Sequence, residues 1–153
     1  MKYSADVLWQ RKPEEPFVDN RYSRKHSWIF DGGINLTASS SPSVVPVPLS
    51  DPNAVDPEEA FIASLSSCHM LFFLSFAARH KYIVEEYIDH AEGIVSKNEE
   101  GKMAVTQVTL NPRIRFSGTN IPSREQMDDL HHQSHVECYI SNSVKTVIKI
   151  NSV

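Results

Sequence analysis

Cysteine is scarce in this chain of 153 residues, which contains only Cys68 and Cys138. Two cysteines are too few for a disulfide scaffold or for a zinc site with four cysteine ligands. Basic residues are also in the minority, at 15 lysines and arginines against 19 aspartates and glutamates, and the formal net charge is -4. No basic patch is visible, which argues against a nucleic-acid partner.

The N-terminal segment lacks an apolar run of signal-peptide length, and the chain has no internal repeat. We therefore expect a cytoplasmic protein, in which a disulfide is usually catalytic or redox-sensing rather than structural. Nothing marks a domain boundary. The sequence predicts a single domain over residues 1–153, which is long enough to bury a real hydrophobic core.

One uncharged segment runs from Ala60 to Ala78 and has Cys68 in its middle. It is at the lower limit of the roughly 20 apolar residues that span a membrane, and it contains several serines. A helix that is apolar nearly all round is more often a buried central helix of a domain or dimer. Asp56 and Glu59 form a capping box around Pro57, and we expect the helix to end near Arg79 or His80.

Alternating apolar and polar residues predict the strands. A hairpin turn is expected at 31–33, and Ser123 with Gln126 forms the capping box of a second helix. The predicted fold class is α+β, in the order β-β-β-α-β-β-α-β, with a mostly antiparallel sheet around the long central helix. The predicted strands cover 3–9, 22–30, 34–38, 83–97, 103–116 and 144–150. The proline-rich connection 39–55 is expected to be a packed loop, because it contains several valines.

The segment "DPEEAFIASLSSCHM" resembles the signature of the OsmC/Ohr family, the osmotically inducible and organic hydroperoxide resistance proteins. In that signature a Pro-Glu-Glu opens the central helix, and a reactive cysteine follows ten residues after the first glutamate. Glu58 and Cys68 have this spacing. The second family cysteine lies on a later helix, and Cys138 fits it. The predicted order of elements also matches the family fold.

The resemblance implies a peroxidase that reduces organic hydroperoxides in oxidative or osmotic stress, with Cys68 and Cys138 as its two active cysteines. It implies an intertwined homodimer with its sites at the interface, a dithiol reductant, of the lipoyl type in one branch, and no cofactor or metal. It also implies that an arginine and the helix-start Glu58 assist the reactive cysteine. Arg21 and Arg24 are both candidates. Arg24 is preferred because it would share a strand face with several aromatic residues.

General thiol chemistry leads to the same requirements. A thiolate attacks a peroxide oxygen, so the site must lower the cysteine pKa, which a nearby guanidinium does by favouring the charged form. The cysteine becomes a sulfenic acid, and a second thiol within disulfide range condenses with it. A homodimer is expected on separate grounds, because so apolar a helix is hard to cover within 153 residues.

Two other interpretations stay open. His131, His135 and Cys138 follow each other at helical spacing, and histidine and cysteine are good zinc ligands, so a zinc-binding protein is one alternative. A solvated histidine-rich helix face explains the same pattern. The other alternative is a binding or sensing module that kept an OsmC-like fold without turnover.

Overall fold

The computed structural model describes residues 1–152. The chain forms two compact units, Met1–Ala60 and Phe61–Val153.

The N-terminal unit contains a three-stranded antiparallel sheet in the order β1-β2-β3. Its strands are Ala5–Leu8, His26–Phe30 and Asn35–Ala38. The predicted hairpin turn joins β2 to β3: Gly33 has φ 84°, which glycine adopts without steric cost, and its N–H donates to the Phe30 carbonyl at 2.9 Å.

Strand β2 begins later than the sequence predicted, at His26 rather than at residue 22. Arg24 lies before the strand, and its backbone N–H donates to the Leu49 carbonyl at 2.8 Å. The residues before His26 therefore bond to the proline-rich loop instead of extending the sheet. The alternation of residues had suggested that Arg24 shares a strand face with Trp28. It does not, because Arg24 lies outside the strand.

The loop 39–55 is fixed by backbone hydrogen bonds rather than by its valines. The two ends of the loop meet where the Ser39 N–H donates to the Val55 carbonyl at 3.0 Å. Ser39 is fully buried. The Ser39 hydroxyl also accepts from the Asp51 N–H at 3.0 Å. Val44 and Val47, by contrast, are 68% and 59% exposed. The loop is ordered, but two of its apolar side chains face outward.

Helix α1 covers Pro57–Arg79, as predicted. The capping box is present: the Asp56 carboxylate accepts from the Glu59 N–H at 2.8 Å, and the Glu59 carboxylate accepts from the Asp56 N–H at 3.3 Å. By length and composition α1 could cross a membrane, a test that core helices of soluble proteins also pass. Four residues of α1, spaced four apart, are buried and form one stripe along the helix: Leu65, His69, Phe73 and Ala77.

The C-terminal unit contains five strands in two sheets. The strands are β4 Ile83–Asp89, β5 Glu92–Lys97, β6 Met103–Leu110, β7 Pro112–Ser117 and β8 Val147–Ile150. Antiparallel β4-β7 forms one sheet. In the other, β6 pairs antiparallel with β5 and parallel with β8.

Each of the two long strands predicted at 83–97 and 103–116 is in fact divided in two. The breaks are side by side, where the Asp89 carboxylate accepts from the Asn111 N–H at 2.6 Å and from the Ser66 hydroxyl at 2.5 Å. Pro112 follows Asn111 and has no N–H to give to a ladder. One long hairpin is thereby split between two sheets.

Helix α2 covers Arg124–Glu137 and begins with the predicted capping box of Ser123 and Gln126. Two hydrophobic clusters lie in this unit. Leu65 of α1 packs with Val108 and Leu110 of β6, and Phe73 of α1 packs with Leu130 of α2. Helix α1 is therefore covered along one stripe by β6 and α2. The predicted α+β class is confirmed, with eight strands where six were predicted.

Candidate thiol site

The structure brings Cys68 and Cys138 together. Cys68 lies midway along α1 and is half-buried, whereas Cys138 caps the C-terminal end of α2 and is fully buried. Both are free thiols, and the Cys68 thiol is within hydrogen-bonding reach of Cys138. Two neighbouring thiols on two packed helices are candidates for a disulfide.

The turn after α2 places three successive backbone N–H groups near the two cysteines. Cys138 has extended dihedral angles, φ -65° and ψ 114°, so the helix stops there. The backbone N–H groups of Tyr139 and Ile140 lower the pKa of the Cys68 thiol, and the Ser141 N–H donates to the Cys138 sulfur at 3.4 Å. Hydrogen bonds from N–H donors favour a thiolate over a thiol. Sequence reasoning missed these donors because they belong to the main chain.

Burial raises the pKa of the Cys68 thiol above its ordinary value, and the hydrogen bond with Cys138 raises it further. The backbone N–H groups of Ile140 and Tyr139 act in the opposite direction. No lysine or arginine contributes to this shift within the described residues. The surroundings of Cys68 therefore supply donors for a thiolate but not the positive charge that the sequence analysis expected.

Arg24 is held by its own neighbours. Its guanidinium donates to the Asn20 carbonyl at 3.0 Å, to the Asn20 side-chain oxygen at 2.8 Å and to the Tyr22 carbonyl. It also lies over the Tyr22 ring, 3.8 Å from the centroid. This fixes the guanidinium in one place. Arg21 is exposed, and its interaction in the described chain is through its backbone, whose N–H donates to Asp19 at 3.1 Å.

Glu58 and Arg24 line the same cavity of about 470 Å³, which lies within the N-terminal unit. Three mutually packed aromatic rings, those of Trp9, Phe17 and Tyr22, also line it. Across residues 1–152, the two side chains form no ion pair with each other within 4.0 Å. The fork-to-carboxylate pairing of Arg24 and Glu58 thus stays a prediction, although they share a cavity.

A buried histidine pair was not recognised from the sequence. His69 follows Cys68 on α1, and its Nε2 lies 3.0 Å from Nδ1 of His131 on α2. The rings are stacked with centroids 5.3 Å apart, and the residues are 1% and 4% exposed. Burial lowers the pKa of His69 to about 3 and that of His131 to about 4. The available signal was the periodicity of α2, which places His131 beside the buried Leu130 and Ser134.

The alternative zinc site is not assembled. His131 directs its Nδ1 at His69, and Cys138 leaves the helical spacing at the end of α2. Among residues 1–152, no three histidine, cysteine, aspartate or glutamate side chains are grouped closely enough to hold a metal ion. His131, His135 and Cys138 therefore do not form the three-ligand set that their spacing suggested.

Comparison with known proteins decides the family. The family model described as OsmC-like protein matches residues 50–153. The chain belongs to the OsmC-like family. No functionally curated protein matches it.

Solved structures agree with this assignment. An OsmC-like protein of unknown function from Vibrio cholerae is 54% identical, with a TM-score of 0.98, covering 100% of this chain and 99% of that one. An OsmC-like protein from Mycoplasma pneumoniae is 14% identical, with a TM-score of 0.74, covering 100% and 96%. An organic hydroperoxide resistance protein from Elizabethkingia anophelis is 18% identical, with a TM-score of 0.70, covering 99% and 94%. The last two show a shared fold.

The buried histidines of this OsmC-like protein predict acid sensitivity. Their folded-state pKa values of about 3 and 4 lie below the roughly 6.5 of an unfolded histidine, so the unfolded chain binds more protons between these values. Their contribution to stability is complete above about pH 6.5 and is lost as the pH falls toward 4. We expect the free energy of unfolding in urea to decrease by at most about 1.4 kcal/mol per pH unit for each histidine.

The matched variants for this measurement are His131→Phe and His132→Phe, the second at an exposed neighbour on the same helix. His131→Phe removes one of the two buried histidines, so the free energy of unfolding should change less steeply with pH between 6.5 and 5. His132→Phe should leave this slope as in the wild type. Equal slopes in the wild type and His131→Phe would contradict the assignment.

Proposed function

We propose that this OsmC-like protein is a two-cysteine thiol peroxidase that reduces organic hydroperoxides in stress defence. The observation that carries the proposal is the close approach of the Cys68 and Cys138 thiols on two packed helices. The name of the Elizabethkingia neighbour, an organic hydroperoxide resistance protein, supports the choice of substrate class. A structural role for two cysteines would not require the thiols to face each other.

In the first step the Cys68 thiolate attacks the terminal oxygen of R–O–OH and the O–O bond breaks. The products are a Cys68 sulfenic acid and an alkoxide, which takes a proton and leaves as the alcohol ROH. The half-buried position of Cys68 lets substrate reach it. The N–H groups of Tyr139 and Ile140 stabilise the thiolate before attack.

In the second step the Cys138 sulfur attacks the Cys68 sulfenic sulfur. A disulfide forms, and the hydroxyl leaves with a proton as water. Full burial of Cys138 suits this role, because a buried thiol meets its neighbour more readily than it meets peroxide. A dithiol, of the lipoyl type by family resemblance, would then reduce the disulfide by thiol exchange.

The two sulfurs should therefore not be interchangeable. Reduced wild-type protein should have two titratable thiols per chain and lose both to one equivalent of tert-butyl hydroperoxide. Cys68→Ser should abolish the fast reaction. Cys138→Ser should keep one fast turnover and then accumulate sulfenic acid, detectable by mass spectrometry after dimedone trapping. Retention of both thiols by the wild type, or equal first turnovers in both variants, would rule out these roles.

We also propose that Arg24 supplies the positive charge that Cys68 lacks within its own unit. A guanidinium fixed by Asn20 and Tyr22 is preorganised to stabilise a thiolate without losing side-chain freedom. Glu58, in the same cavity, would orient this guanidinium.

The pH dependence of Cys68 alkylation tests this role. Arg24→Met should raise the apparent Cys68 pKa by about one unit or more, since a close guanidinium lowers an acidic pKa by about 1–3 units. Lys at position 24 should rescue part of the loss. The exposed Arg21→Met is the matched control and should leave the profile unchanged. If Arg21→Met shifts the profile and Arg24→Met does not, the wrong arginine has been chosen.

The uncovered face of α1 supports a homodimer. Opposite its buried stripe, the helix exposes uncharged residues at a spacing of four: Ala63, Ser67, Leu71 and Ser75. Leu71 is 62% exposed. Small residues with one large apolar residue allow a second helix to approach closely. We propose that a second copy of the chain covers this stripe.

Light scattering at micromolar concentration should give twice the mass of the 17.3 kDa chain. Leu71→Glu should reduce the mass to that of one chain, because it places a charge in the covered stripe, whereas Val44→Glu, at an exposed position of the loop 39–55, should not. A monomeric wild type would contradict the proposal.

A further inference from the structure

The His69–His131 pair connects the two helices that carry the cysteines. Its hydrogen bond joins Nε2 of the α1 residue to Nδ1 of the α2 residue at 3.0 Å. Both residues are almost completely buried, and the His131 ring also packs against Phe73, with centroids 4.7 Å apart. The proposed reaction gives neither histidine a role.

The pair is an unusual choice for a core. One N–H···N bond uses one nitrogen of each ring, and the outer nitrogens, Nδ1 of His69 and Nε2 of His131, have no hydrogen-bond partner within residues 1–152. Each such buried polar atom costs free energy that an apolar pair would not. An apolar pair would lack the directionality of a hydrogen bond. A hydrogen bond fixes the register between two helices more sharply than packing does.

The pair is close to the sulfurs along both helices. His69 is the residue after Cys68, and His131 precedes Cys138 by seven residues, which is two helical turns. A shift of α2 along α1 would therefore have two effects at once: it would break the hydrogen bond between the histidines, and it would move the two thiols apart. Ser134 lies between His131 and Cys138 on α2 and is fully buried. Its hydroxyl donates a hydrogen bond to the Leu130 carbonyl at 2.6 Å, so it adds no hydrogen bond to α1.

We propose that His69 and His131 are positioning residues that hold the Cys138 thiol against Cys68, and that closure of the disulfide depends on their hydrogen bond. The inference rests on the proposed function for its biological meaning, since closure is the second step of that reaction. The formation of the disulfide itself, however, can be measured without any peroxide.

The variants are chosen by which ring nitrogen makes the bond. His69→Gln places an amide near the position of Nε2 and keeps a group that donates or accepts, whereas His69→Leu has a similar size and cannot bond. His132→Leu, at an exposed position on α2, is the matched control. Circular dichroism and urea unfolding establish that each variant is folded. If His69→Leu is unfolded, His131→Asn and His131→Leu, the equivalent pair at the other histidine, replace it.

The first measurement is the equilibrium of the Cys68–Cys138 disulfide with a glutathione redox buffer. Loss of the bond should lower the effective concentration of one thiol at the other by about tenfold, as expected for one buried hydrogen bond. That change raises the reduction potential by about 30 mV. His69→Gln and His132→Leu should stay near the wild-type potential. A wild-type potential in folded His69→Leu, or equal shifts in the Gln and Leu variants, would overturn the proposal.

The second measurement separates the two steps with tert-butyl hydroperoxide. His69→Leu should consume the first equivalent at the wild-type rate but close its disulfide about tenfold more slowly, so that more sulfenic acid is trapped by dimedone. An unchanged closure rate would overturn the inference. The wild type could fail to react with hydroperoxide while His69→Leu still shows the predicted shift of reduction potential in glutathione buffer. That result would refute the proposed function and leave the positioning role in place.

Discussion

Helix α1 is the element on which the rest of the structure depends. It is uncharged from Ala60 to Ala78, so burial of its apolar residues against other elements stabilises the fold. The C-terminal unit covers one stripe, through contacts of Leu65 with β6 and of Phe73 with α2. Cys68 lies beside that stripe and is half-buried, and its thiol interacts with that of Cys138.

The same packing gives the two sulfurs different surroundings. Cys68 lies inside a regular helix, where its own N–H is already bonded, so its hydrogen-bond donors must come from elsewhere. They come from the turn that follows α2, because that helix stops at Cys138 and frees the next N–H groups. Burial nevertheless raises the pKa of Cys68. A cation close to the sulfur would lower this pKa, and we propose that the Arg24 guanidinium supplies it.

Local chemistry was the most predictable part of the fold. Both capping boxes and the glycine hairpin depend on residues within a few positions, and each formed as expected. The break opposite Pro112 was missed because it depends on Asp89, whose two hydrogen bonds come from distant residues. The histidine pair was missed for a similar reason: the periodicity of α2 gave the buried face, but not the partner, 62 residues away on α1. Interactions between elements far apart in the chain leave little trace in one sequence.

We propose that Cys68 and Cys138 form a disulfide with each other during turnover. This proposal is tested most directly by treating reduced protein with one equivalent of tert-butyl hydroperoxide and mapping its peptides by mass spectrometry without reduction. We expect one dominant product, the Cys68 peptide linked to the Cys138 peptide, in chains that run as monomers on a non-reducing denaturing gel. A Cys68 sulfinic acid beside a free Cys138 thiol, or a Cys68–Cys68 link between chains, would contradict it.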